Sequence, residues 1–161
     1  MRRVAGGVKF IEYLEEGNYL GLDSEKRLIR LGIKKELGRE LMRRKSPQFV
    51  VSGSFEFEKF SKRPDFAIAQ SLFTHLVESD IRLCLEKMRR FISPGGRFYA
   101  TYLIADGSHV KPGSSRSHSH RGFQYPRAMV EDFGAKAGWR PKYIGDWGHP
   151  VNQMMVEYVA E

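Results

Sequence analysis

Three histidines, His118, His120 and His149, are the side chains best suited to move a proton, because imidazole titrates near neutrality and serves as a general base. His118 and His120 stand in the run Ser115-Arg116-Ser117-His118-Ser119-His120. Two histidines two residues apart, with no cysteine or well-placed carboxylate beside them, fall short of a metal-ligand set, so no metal is expected. His149, within Asp146-Trp147-Gly148-His149-Pro150, is the preferred substrate-side candidate, against the plainer reading of a turn histidine. Cys84 is the one cysteine and falls on an apolar helical stripe, which favours a buried structural thiol over a nucleophile.

These side chains need a scaffold, and its clearest part runs from Asp65 to Tyr102. Phe66 to Ala69 form a short apolar run, as in a strand buried on both faces of a parallel sheet, and polar Gln70-Ser71 follow at the site-forming end. Ile81, Cys84, Leu85, Met88, Phe91 and Ile92 then recur at helical spacing, with charged residues between them. Ser79 and Asp80 suit the helix N-terminus, Pro94-Gly95-Gly96 ends the helix, and Phe98 to Ile104 resume an extended pattern. The spacing predicts a right-handed, parallel β-α-β unit.

Upstream, Val4 to Leu14 are predicted to form a short helix, Tyr19 to Leu22 a strand ending at Asp23, and Phe49 to Val51 another strand closed by Ser52-Gly53-Ser54. Between them lies a basic helical segment in which Gly32 and Gly38 suggest a break and Pro47 a stop. Downstream, residues 106 to 126 are rich in Gly, Ser, His and Arg and read as a long loop of the kind that forms lids or substrate-binding segments. A helix over Arg127 to Ala137 follows, then two strands, Lys142 to Trp147 and Gln153 to Val159, whose short link favours an antiparallel hairpin.

The composition sets the class. With 161 residues, 41% of them hydrophobic, the chain suits a single domain, and no apolar run approaches the ~20 residues of a membrane span. The basic start lacks the apolar core of a secretory signal, and together with the lone cysteine this favours the cytoplasm. Charge is uneven: between Ser24 and Ser46 nine Lys or Arg face three Glu, a local excess of +6 within the net +8. A surface for RNA, DNA or acidic lipid is one reading. The solvated face of an amphipathic helix is the other, and it is favoured because no aromatic residues interleave as stacking platforms.

The order of these parts carries a resemblance: a strand ending in Asp23, a strand ending at Gln70-Ser71, a helix closed by Pro94-Gly95-Gly96-Arg97-Phe98, and a terminal helix with a hairpin. Across nearly the whole chain this resembles the class I S-adenosylmethionine-dependent methyltransferases. The resemblance implies a Rossmann-like, mostly parallel α/β sheet covered by helices with a closing antiparallel hairpin. It implies that Asp23 accepts hydrogen bonds from the cofactor's ribose hydroxyls, with an N-cap for the next helix as the structural alternative. Ser54 and Phe55 would frame the adenine, and Gln70 and Ser71 would pass close to the methionine portion, each with an ordinary turn as the alternative. His75 lies just beyond, where a helix-capping role is preferred to lining the pocket. His149, His118 and His120 become base candidates for an oxygen or nitrogen acceptor, whose identity the sequence leaves open.

The departure is at the front. The family's first strand, which is central in the sheet, and the glycine-rich loop after it have no counterpart, since Gly6-Gly7 fall in the first helix. The chain as given is therefore read as N-terminally shortened, with weak or absent S-adenosylmethionine binding. Two other classes stand beside it: a noncatalytic binding or scaffold domain using the basic helix, and a nicotinamide-dependent oxidoreductase, which the absence of Gly-x-Gly-x-x-Gly and the closing hairpin oppose.

Overall fold

In a computed structural model, residues 5–105, 116–117 and 122–161 are described. They fall into two compact units, one up to Arg63 and one from Pro64 onward.

The first unit contains α1 (Ala5–Tyr13), β1 (Leu20–Asp23), α2 (Lys26–Gly32), α3 (Gly38–Lys45) and β2 (Gln48–Val51). β1 and β2 pair in parallel, with Asp23 opposite Val51, so both strands end at one edge. The basic segment breaks where the glycines suggested. Ile33–Leu37 widen into a π-helical turn, and the Gly38 amide donates to the Ile33 carbonyl. Gly38 itself has φ +74°, a conformation that glycine adopts without a side-chain penalty. Ile11, Leu37 and Leu41 are buried at the centre of this unit, and Val8, Tyr19, Ile33, Met42 and Phe49 pack around them. Lys45 is tied down through Nζ to the Leu14 carbonyl at 2.6 Å.

The second unit holds β3 (Phe66–Ala69), α4 (Glu78–Phe91), β4 (Arg97–Ile104), β5 (Gln124–Tyr125), α5 (Arg127–Lys136), β6 (Trp139–Asp146) and β7 (Gln153–Ala160). The sheet order is β3-β4-β7-β6, with β5 pairing with the end of β4. β3 and β4 are parallel, as the β-α-β reading requires, and β4-β7 and β7-β6 are antiparallel. The expected stripe of α4 holds, with Ile81, Cys84, Leu85 and Met88 buried, and burial pushes the Cys84 thiol up to about 12. The turn after α4 joins three elements: Gly95 donates to the Ala160 carbonyl, Gly96 to Ser93, and Arg97 to Asp65. Aromatic side chains fix other segments by single hydrogen bonds to backbone carbonyls. Trp139 Nε1 donates to Leu85, Tyr158 Oη to Val130, and Tyr125 Oη to Leu76.

One expectation is corrected. β3 is not buried on both faces, for Phe66 is 69% and Ile68 48% exposed. The register explains which face is open: Phe66 and Ile68 lie beside Arg97 and Tyr99, whereas Ala67 and Ala69 lie beside the buried Phe98 and Ala100 on the side that carries the aromatic core. As expected, Ser79 and Asp80 stand in the first turn of α4. The N-cap is Val77, whose amide donates to Ser117 Oγ, and Ser117 Oγ in turn contacts Asp80 Oδ2. Among the described residues β1 pairs only with β2, and β3 only with β4.

Candidate functional site

The first unit presents its polar groups where β1 and β2 end. Asp23 closes β1, and its Oδ1 accepts the Glu25 amide at 2.8 Å, forming the turn that starts α2. One side chain therefore does the structural job with one oxygen. The other carboxylate oxygen has no hydrogen-bond partner among the described residues, which leaves an acceptor at the strand end.

Beside it, Ser52 organises the turn after β2. Its amide donates to the Asp23 carbonyl at 3.0 Å, and its buried hydroxyl accepts the amides of Ser54 and Glu56 while donating to Glu56 Oε2. This tight turn places Phe55 at φ +57°, a left-handed conformation uncommon outside glycine, with its ring stacked on Phe57 at 6.2 Å. The cavity bordered by Asp23, Tyr19, Gly21, Ile33 and Phe49 measures about 90 Å³. Ligand pockets run to roughly 300–1,000 Å³, so this cavity is smaller than a typical one.

The second unit builds a separate polar turn at the end of β3. Gln70 is exposed, and Ser71 has φ +57°. That conformation is over-determined: the Ser71 amide donates to Thr101 Oγ1 at 2.7 Å, and Ser71 Oγ donates to Gln153 Oε1 at 3.1 Å. Thr101 Oγ1, fully buried on β4, also donates to Gln153 Oε1 at 2.7 Å, and Thr74 Oγ1 returns to the Ser71 carbonyl. Left-handed non-glycine residues held by a buried network are the kind of stored strain found at ligand clamps. The chemistry available here is a fixed set of hydroxyl, amide and backbone groups rather than an acid-base pair.

The predicted site residues thus divide. Asp23, Ser54 and Phe55 gather at the strand ends of the first unit, and Gln70 and Ser71 at the strand end of the second. His75 ends a 3-10 turn and does not cap α4, a role that falls to Val77. His149 sits in the β6–β7 turn, where its Nδ1 accepts the Val151 amide at 3.3 Å and its ring lies 5.1 Å from that of Trp147. His118 and His120 lie outside the described residues. Among the described residues no group of three metal-ligating side chains occurs, and no helix is long and apolar enough to cross a membrane.

Three residues of these turns escaped the sequence reading: Ser52, Thr101 and Gln153. Each is a polar side chain buried to within a few per cent. The available signal was a hydroxyl inside the apolar run Phe98 to Ile104.

No protein-family model and no curated protein matches this chain. Solved structures do. The glycopeptide N-methyltransferase MtfA, crystallised with S-adenosyl-L-homocysteine, superposes with a TM-score of 0.68 at 14% identity, covering 99% of this chain and 91% of its own. A SAM-dependent methyltransferase from Methanosarcina mazei gives 0.58 at 10% identity, with 94% of each chain covered. Human N-acetylserotonin methyltransferase in complex with SAM gives 0.61 at 11% identity, and there this chain spans 39% of the longer protein. With the parallel β-α-β unit, the strand-end acid and the antiparallel closing hairpin in place, the chain has the fold of the class I S-adenosylmethionine-dependent methyltransferases.

Proposed function

We propose that this protein serves S-adenosylmethionine-dependent methyl transfer, and that residues 1–161 by themselves hold the cofactor weakly. The observation that carries the reading is the pairing of a fold match over 99% of the chain with a carboxylate oxygen left open where β1 ends. The residues fit the cofactor in part. Within the first unit the open oxygen of Asp23 suits a ribose diol, and the Ser54-Phe55 turn closes the neighbouring strand; within the second, the Ser71 turn is a rigid polar wall of its own. A glycine-rich loop following a strand is absent from the sequence, and the cavity beside Asp23 is smaller than a typical ligand pocket.

When bound, the cofactor supplies a methyl group already activated on a sulfonium, so the protein's share is alignment and exclusion of water. The Thr101–Gln153 network contributes by fixing Ser71, because a clamp that does not relax loses no binding energy to ordering. His149, a described imidazole, is the base candidate. Its Nδ1 is engaged by Val151, so any proton transfer would use Nε2.

Isothermal titration of residues 1–161 with S-adenosylmethionine and S-adenosylhomocysteine tests this. The expected dissociation constant is about 1 mM, roughly −4 kcal/mol. Asp23→Asn keeps the Oδ1 that holds the Glu25 amide but turns the open acceptor into a donor, and it should weaken binding severalfold further. Micromolar affinity would overturn the weak-binding claim, binding indifferent to Asp23→Asn would overturn the role of Asp23, and no binding at several millimolar would remove the methyltransferase reading from this chain.

A further inference from the structure

The basic segment of the first unit carries the densest run of cations in the chain. On α4 and α5 three cations are paired at i,i+4: Arg82 with Glu78, Arg127 with Glu131, and Lys136 with Asp132, at 2.8–3.1 Å. In the α2–α3 segment Glu36 precedes Arg39 by three residues, and Glu40 precedes Arg43 by three. These spacings allow pairs, yet no ion pair forms there among the described residues. Lys26, Arg27, Arg30, Lys34, Lys35, Arg39 and Arg43 are all exposed. Arg44 and Lys45 are set aside, because they border a surface depression with Glu12, Glu15 and Glu16.

The seven remaining cations are spread along the whole segment. Lys26, Arg27 and Arg30 stand on α2, Lys34 and Lys35 on the π-helical turn, and Arg39 and Arg43 on α3. Within α2 and within α3 the charges step along the helix by about 5–6 Å per turn. The apolar side of the same segment is already used, with Leu37 and Leu41 in the core, so the cationic side faces solvent by construction. A solvated face gains from interspersed carboxylates that neutralise it. This one keeps its charges unpaired, which costs self-repulsion and leaves the cations free for phosphates.

We propose that the α2–α3 segment is a docking surface for duplex nucleic acid, read through its phosphate backbone. The missing aromatics now point the same way. Single strands are held by stacking bases on aromatic rings, whereas a duplex hides its bases and offers phosphates, which cations engage without stacking. The surface lies within one unit and makes no use of Asp23 or Ser71, so it stands whether or not the chain binds a methyl donor.

Fluorescence anisotropy of the full chain with labelled duplex RNA, duplex DNA and the corresponding single strands, over a salt series, decides it. If five of the seven cations meet phosphates, the logarithm of the affinity falls with a slope of about −4.5 against the logarithm of salt, or about 500-fold between 50 and 200 mM. Arg30→Gln, Lys34→Gln and Arg39→Gln together should reduce that slope to about −2. Lys9→Gln, Arg63→Gln and Arg90→Gln remove the same charge elsewhere and should leave it near the original value. Circular dichroism establishes that both triple variants are folded, and the slope of the unmodified chain is a test in itself. Duplex RNA or duplex DNA binding with that slope supports the surface. It is overturned by absent duplex binding, by single strands bound as tightly as duplexes, by tighter binding to phosphatidylserine vesicles, or by equal losses in the two triple variants.

Discussion

Tyr102 is fully buried on β4, and its hydroxyl finds no hydrogen-bond partner among the described residues, while desolvation drives its ionisation well above the ordinary tyrosine range. A buried unsatisfied group costs about 1–3 kcal/mol, so removing it should help. Tyr102→Phe is expected to raise the melting temperature by about 2–4 °C, whereas Tyr125→Phe, which strips the donor from the Leu76 carbonyl, should lower it by a similar amount. Differential scanning calorimetry of the two variants checks the contrast, and equal shifts would refute it. At this scale the sequence located residues better than it located their duties. Asp23 was placed at a strand end, but only the tertiary structure shows that one oxygen starts α2 and that the other has no partner among the described residues. Ser71 was placed in a polar turn, yet its left-handed backbone depends on Thr101 and Gln153, which are 30 and 82 residues away. Periodicity carries no signal for partners so distant.

The elements were more legible. α1, α4, α5 and β1 to β4 stand within a few residues of where apolar spacing and turn residues put them, because both signals are local. β6 begins at Trp139 rather than Lys142, since Arg140 and Pro141 dilute the strand pattern while Trp139 is buried beneath it. β5 was missed altogether. Two residues, Gln124 and Tyr125, pair with Leu103 and Ile104 in a segment with no apolar period of its own. Helix α5 holds a constraint that its sequence does not advertise. A Cβ on Gly134 would meet the Tyr158 ring at 2.2 Å, and Tyr158 is fixed by its own bond to Val130. Gly134→Ala would gain about 1 kcal/mol of helix propensity and, with a contact this short, lose about 2–3 kcal/mol to overpacking. The expected result is a net loss of about 1–2 kcal/mol in urea unfolding, and an unchanged or raised midpoint would show that the ring can shift.

Over the whole molecule the unusual feature is apolar surface on a parallel edge. Phe66 and Ile68 are exposed on β3, which among the described residues has a strand partner on one side only, and parallel edges of this kind are rarely left bare. Phe66→Thr with Ile68→Thr should diminish dye binding to exposed apolar surface and self-association in sedimentation velocity, while stability shifts by no more than about 0.5 kcal/mol because the side chains are already in solvent. A large stability loss would mean that these side chains pack in solution. The fold match and the order of strands and helices were determined by the sequence itself, since short-range apolar periods and Gly/Pro punctuation specify them residue by residue. Tertiary structure alone decided which face of β3 is open, which cations go unpaired, and how Ser71 and Asp23 are held. Burial and hydrogen-bond partners are set by packing across dozens of residues, and no local pattern encodes that.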